Sequence, residues 1–145
     1  MNTDTLKAGG MGGLAGGMVF GMLMGMMGML PMIAGLIGSS SAAVGFALHL
    51  LLSMLIGAGF GLLLGHRVHS RGEGAGLGVM YGLLWWILGP LVVMPTMMGM
   101  GVQFANALST PNLMSLMGHL IYGAVLGGTF AALTHRQATV HPITP

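Results

Sequence analysis

Hydrophobic residues run almost unbroken through two stretches of this chain, Ala8 to Gly65 and Gly74 to Thr134, and neither contains a Lys, Arg, Asp or Glu. A helix crosses the hydrocarbon core of a bilayer with roughly 20 apolar residues, so each stretch is long enough for two crossings. Each also has one interruption rich in Pro, Gly, Ser or Asn, from Pro31 to Ser41 in the first and from Met94 to Pro111 in the second. The pattern predicts four transmembrane helices near 9–30, 42–65, 75–94 and 112–134, forming a single all-α membrane domain, with 137–145 as a flexible tail.

Composition agrees with this layout. Only four Lys or Arg and two Asp or Glu occur among 145 residues, 54% of which are hydrophobic. A mean hydropathy of +0.90 is more than a soluble domain of this size tolerates. The opening MNTDTLKAGGMGG has one Lys before a long apolar run and no small-residue cleavage pattern after a short one, so it reads as a first span and not as a removed signal peptide. A net charge of +2 with no basic stripe excludes nucleic-acid binding. The absence of cysteine excludes thiol nucleophiles, disulfides and thiolate metal sites.

Charge placement predicts the orientation. Lys7, Arg67, Arg71 and Arg136 all fall on one side of the four-span layout, in the N-terminal tail, the middle loop HRVHSRGEG and the C-terminal tail. The positive-inside rule puts that side, with both termini, in the cytoplasm. The expected location is a bacterial inner membrane, with the lipid bilayer as the first partner.

An internal repeat is visible. At an offset of 70, His49 and Leu50 pair with His119 and Leu120, Gly57 with Gly127, Phe60 with Phe130 and Leu63 with Leu133. At an offset of 61, Gly13, Gly17, Gly21 and Gly28 pair with Gly74, Gly78, Gly82 and Gly89, and Phe20 pairs with Tyr81. The chain therefore reads as two tandem two-helix units, about 9–67 and 74–136. A unit with two crossings keeps its orientation when duplicated, so the copies should be parallel, related by a pseudo-twofold axis along the membrane normal.

Small residues recur every four positions. Gly9, Gly13, Gly17, Gly21 and Gly25 form such a row in the first helix, and Gly45, His49, Ser53, Gly57, Gly61 and Gly65 form one in the second. Gly74, Gly78, Gly82, Trp86 and Pro90 follow in the third, and Ser115, His119, Gly123, Gly127 and Ala131 in the fourth. Membrane helices associate by close backbone approach at such rows, which predicts a glycine-rich bundle. No GxxxxGK[ST] pattern supports a phosphate loop.

His49 and His119 lie in these rows and so face other helices. Both are about seven residues from the outer ends of their helices, or ~10 Å deep at 1.5 Å per residue. Trp86 reaches a similar depth and stands where the first repeat has Gly25. Intramembrane ionisable groups are functional candidates by default. The pair can act as hydrogen-bonding glue that fixes helix register, with Ser53, Ser115 or Tyr122 as partners. It can ligate a metal, with Cu(I) the natural candidate given 17 methionines and Met97, Met98 and Met100 in one outer loop. It can also supply two axial ligands to haem b, although the propionates would lack cations on that side. Methionine elsewhere replaces leucine freely, as in GMLMGMMGMLPM, where flexible apolar filler explains it. The cluster His66, Arg67, His69 and Arg71 has the i, i+3 histidine spacing of a weak metal site if helical, but such a run at a helix end is more often a lipid-headgroup anchor.

No Asp or Glu lies in any span, because Asp4 and Glu73 both fall at the cytoplasmic side. Coupled transport by intramembrane carboxylates and triad hydrolysis lose their candidates, and catalysis is not expected. The leading expectation is a non-enzymatic accessory or assembly subunit that packs through its GxxxG-type faces against a membrane-protein partner or a second copy. The alternatives are a copper or haem b protein using His49 and His119, with Trp86 as a wall, and a small-solute channel or facilitator.

Overall fold

A computed structural model describes residues 3–138, with side chains as far as Thr134. The described residues are helical, without strands, and four helices are long and apolar enough to cross a membrane. Helix α1 is Thr3–Met26, α2 is Leu30–Gly35 and α3 is Ala42–Leu64. After a 3-10 turn at Gly65–Arg67 come α4, Arg71–Leu88, a π-turn at Gly89–Val93, α5 at Met94–Met97, and α6, Thr110–Ala138. Large apolar side chains such as Leu51, Leu55, Leu62, Met80 and Leu84 point outward. In water this would be costly; in a bilayer it is the solvated surface.

Several boundaries differ from the periodic reading; α1 begins at Thr3 and not near 9, and the others have local reasons. The first helix stops at Met26 and not at 30, because Gly28 takes a left-handed φ of 68°. Met29 N–H then donates to Met24 O at 2.9 Å and Gly28 N–H to Gly25 O at 3.2 Å, the two bonds of a Schellman stop. The third crossing starts at Arg71 and not at 75, because Ser70 caps it. The Glu73 N–H donates to Ser70 Oγ at 3.2 Å, and Glu73 Oε2 accepts from His69 N–H at 2.9 Å. Pro90 and Pro95 do not end that crossing: Pro90 is absorbed in the π-turn, Pro95 falls in the first turn of α5 where its missing N–H costs nothing, and the crossing continues to Met97. The last helix starts at Thr110 and runs to Ala138, so positions 137 and 138 of the expected flexible tail are helical and the rest of it lies outside the described residues. Ser70→Ala is expected to lower stability by about 1 kcal/mol in a denaturant titration followed by circular dichroism, the usual value of a helix N-cap.

Close packing joins α1 to α3, α4 to α6 and α1 to α6, while α3 and α4 hardly touch. A methyl group on Gly9 or Gly13 would overlap the α3 backbone at Gly57 or Ser53. One on Gly74, Gly78 or Gly82 would overlap the α6 carbonyls of Gly127, Gly123 or His119. Gly12 and Gly16, on another face of α1, lie against the carbonyls of Leu126 and Tyr122 in α6. The helices are thus arranged in the order α3, α1, α6, α4, with an incomplete seam between the last and the first.

Both described chain ends and the 65–70 connection lie at one end of the bundle, called here the terminal end; α2 and the 98–109 connection lie at the loop end. The terminal half is filled by aromatic rings. Phe60 and Phe130, both without exposed surface worth noting, meet edge to face at 5.6 Å, and Tyr81 packs on Phe60 at 5.4 Å. The Tyr81 hydroxyl also donates to Ile56 O at 3.0 Å and ties α4 to α3 at this level. Towards the loop end no such bridge exists, and the seam widens into a cavity.

Candidate functional site

The cavity has a volume of about 360 Å³ and sits between α3 and α4 in the loop half of the bundle. Its inner wall carries Phe20, His49, Ser53, Ser115, His119 and Tyr122. The α4 side is Trp85, Gly89 and Pro90, at the start of the π-turn. Here a glycine and a proline coincide: Gly89 contributes no side chain, and Pro90 forces the ladder of backbone hydrogen bonds to loosen. The rim residues Ile37, Leu52, Val93 and Met97 are exposed, so the cavity communicates with the surroundings of the protein along the α3–α4 seam.

The two histidines line one cavity and share a ring neighbour. Phe20 packs edge to face with both, its ring centroid 5.3 Å from that of His49 and 4.9 Å from that of His119. Close approach of α6 at Gly118 makes room for this ring. His49, 8% exposed, donates from Nε2–H to Gly17 O at 3.0 Å and so links α3 to α1. A carbonyl can only accept, which fixes the proton on Nε2. In His119, Nδ1 lies 2.8 Å from Ser115 O one turn earlier in its own helix, so that nitrogen carries the proton. The Ser115 hydroxyl is also near it, at 3.4 Å. The hydrogen bond to a neighbouring helix expected of each imidazole is found for His49, with the Gly17 carbonyl and not Ser53, Ser115 or Tyr122 as its partner, whereas His119 bonds only within α6. Tyr122 makes a further link, donating to Ser53 O of α3 at 2.8 Å.

Trp86, expected as the cavity wall, is elsewhere. It is buried against the start of α6, with its indole Nε1–H donating to Asn112 O at 2.9 Å. The indole on the wall is that of its neighbour Trp85, edge to face with Tyr81 at 6.2 Å. Trp85 Nε1 is buried without a well-formed hydrogen bond, the Tyr81 hydroxyl being within weak reach only. Adjacent helical positions point about 100° apart, so which of two consecutive tryptophans faces a cavity depends on a rotation that small-residue spacing does not specify. The space next to Gly25, which the sequence alignment pairs with Trp86, is taken by Leu30 of α2, 3.5 Å from where a Cβ would stand.

The loop methionines do not gather. Met97 is on the cavity rim, while Met98 and Met100 are exposed away from it. Other methionines, Met24, Met29, Met32 and Met94, reach the lining. Among the described residues no three His, Cys, Asp or Glu side chains form a metal-holding group, and this includes the His66 and His69 segment. The predicted glycines Gly13, Gly17, Gly21, Gly57, Gly61, Gly78, Gly82, Gly123 and Gly127 all face neighbouring helices of the same chain, and Gly17 and Gly21 in particular abut Ser53 and the His49 and Phe46 rings. Trp85 lies as deep as Trp86 in the sequence layout and is an equal candidate for core packing or a cofactor wall; Phe20 and the Gly89-Pro90 turn are not singled out by the sequence as parts of the site, and a Gly-Pro pair inside an apolar span is the signal that could have found the turn.

The chain matches no protein-family model, no curated protein and no solved structure, so what it does has to be argued from this geometry.

Proposed function

We propose that this chain is a non-enzymatic, multi-pass membrane protein that holds a lipid-soluble small molecule in the cavity between α3 and α4. The observation that carries the reading is the cavity itself: it is molecule-sized, walled by apolar side chains and two imidazoles, and open along one side of the bundle. In a bilayer that side faces lipid, and a ligand would arrive through the membrane and not through water.

The repeat accounts for why one seam opens. Read as two parallel units, the chain places Gly13 beside Gly57 as it places Gly74 beside Gly127, and Gly21 beside His49 as it places Gly82 beside His119. The two seams between units differ. The closed seam uses Gly12 and Gly16 of α1 and Gly118 of α6, whose repeat-equivalents are Glu73, Leu77 and Leu48. Bulkier residues hold α3 and α4 apart where their counterparts touch. On this reading the cations Lys7, Arg67, Arg71 and Arg136 mark the terminal end as cytoplasmic, and the cavity lies in the outer half of the inner membrane.

Extraction of the purified protein into organic solvent, followed by mass spectrometry, tests the proposal together with elemental analysis. The expected result is a co-purifying small molecule, or saturable uptake of an added one, that is lost when the cavity is filled. Stoichiometric copper or a haem absorption band, without such a molecule, would replace it by the metal or haem b reading.

Assembly with a membrane partner or a second copy is favoured by a different surface from the one first expected. Gly72 and Gly76 of α4 and Gly128 of α6 have nothing within 4 Å of a would-be Cβ, beside a shallow depression lined by Arg71, Thr129 and Ala132. Gly76→Leu with Gly128→Leu is expected to shift any oligomer towards monomer in size-exclusion chromatography with light scattering. An oligomer unchanged by both substitutions would remove this surface from consideration.

A further inference from the structure

We infer that the molecule held in the cavity is a hydrogen-bond donor at two points, an apolar aromatic diol of the hydroquinone or resorcinol kind, received by the bare ring nitrogens of His49 and His119. The inference rests on the ligand-binding reading above and adds the chemistry of the ligand.

A neutral imidazole has one N–H and one lone pair, and the backbone determines which nitrogen has which. Gly17 O holds the proton of His49 on Nε2, leaving Nδ1 as an acceptor. Ser115 O holds the proton of His119 on Nδ1, leaving Nε2 as an acceptor. Among the described residues, Trp85 Nε1 alone is a buried side-chain nitrogen or oxygen without a partner. The two bare imidazole nitrogens, which have no protein partner, therefore keep accessible surface, and both residues line the cavity. His119 Nε2 faces Gly89, being 3.9 Å from where its Cβ would stand. Both protons are committed to carbonyls inside the fold, so both imidazoles present lone pairs.

A ligand that satisfies them must bring O–H or N–H groups. One that brings only carbonyl or ether oxygens would set acceptor against acceptor and leave both nitrogens unpaired in an apolar site. The Ser53 and Ser115 hydroxyls at the same wall can turn to donate or accept and do not discriminate. The body of the ligand meets the Phe20, Trp85 and Tyr122 rings, which suit a flat aromatic group. The two imidazole centroids lie no farther apart than their distances to Phe20 taken together, a span that two hydroxyls on one benzene ring can bridge. A single metal ion fits less well. Its two Nimidazole bonds of about 2 Å each require the lone pairs to converge on one point, no third His, Cys, Asp or Glu joins them among the described residues, and most of the 360 Å³ would stay unfilled.

The test uses the full chain in lipid nanodiscs, with empty nanodiscs as the partition control, and two probes of matching shape: 4-hexylresorcinol and its dimethyl ether. The diol is expected to bind at least about tenfold more tightly than the ether, which two ordinary hydrogen bonds supply. His119→Leu is expected to reduce that preference while the ether still binds. Since His119 bonds only within its own helix, this variant is expected to keep the fold. Equal binding of diol and ether, or tighter binding of the ether, would overturn the donor inference and leave the ligand-binding proposal standing. Saturable binding of neither probe, with no co-purifying organic molecule, would overturn both. Stoichiometric copper that depends on both histidines would also overturn the donor inference.

Discussion

Gly78→Leu is expected to yield no folded protein, whereas Gly76→Leu, two positions away on the same helix, is expected to give a monomer with nearly the parent's resistance to denaturant. The contrast follows from what each Cα faces. Gly78 lies directly on the Gly123 carbonyl of α6, so even a methyl group overlaps backbone that cannot rotate away, while Gly76 faces open space. One or two extra methylene groups in a well-packed core typically cost about 1–3 kcal/mol. An isobutyl group against backbone must separate two helices along their length, and total stabilities are only about 5–15 kcal/mol. Circular dichroism in detergent and limited proteolysis of both variants check the result. A Gly78→Leu protein as resistant as the parent would mean that α4 and α6 are not in backbone contact.

Filling the cavity should have the largest effect on binding. Gly89→Leu places an isobutyl group where a Cβ has only His119 Nε2 within 4 Å, and the backbone there has an ordinary φ of −71°. The variant is expected to fold and to lose at least about tenfold in affinity for a cavity ligand, since both volume and one acceptor nitrogen are lost. Equilibrium binding in nanodiscs, beside an unchanged circular dichroism spectrum, measures this. Unaltered affinity in a folded Gly89→Leu protein would place the ligand elsewhere. The Trp86→Phe variant offers a convenient background, because Trp85, on the cavity wall, then becomes the sole indole reporter.

The glycine rows illustrate how far local pattern reaches. A four-residue period identifies the face of a helix that approaches another backbone, and every glycine of the rows that faces a helix obeys it. The pattern does not contain the identity of the partner. Gly17 and Gly21 could have met another protein; they meet Ser53, Phe46 and His49. Leucine at these two positions would therefore test the fold and not an assembly. Gly72, Gly76 and Gly128, which stay open, lie outside those rows, one or two positions from glycines that are used.

The number and approximate extent of the apolar helices, and the small-residue faces on which they pack, came from the sequence by itself. They depend on bilayer thickness, on the cost of an unpaired backbone and on residue spacing, all of which act within one helix. Even the early stop at Met26 is local, since Gly28 can take a left-handed φ that its neighbours avoid. The tertiary structure alone decided that Phe20 packs against both histidines, that Trp85 and not Trp86 lines the cavity, and that α3 and α4 stay apart. These outcomes depend on rotations of whole helices and on which pairs of helices come into backbone contact. Gly12 and Gly16 of α1 lie on α6 carbonyls and Gly118 of α6 on Phe20, contacts between residues distant in the chain that only packing brings together.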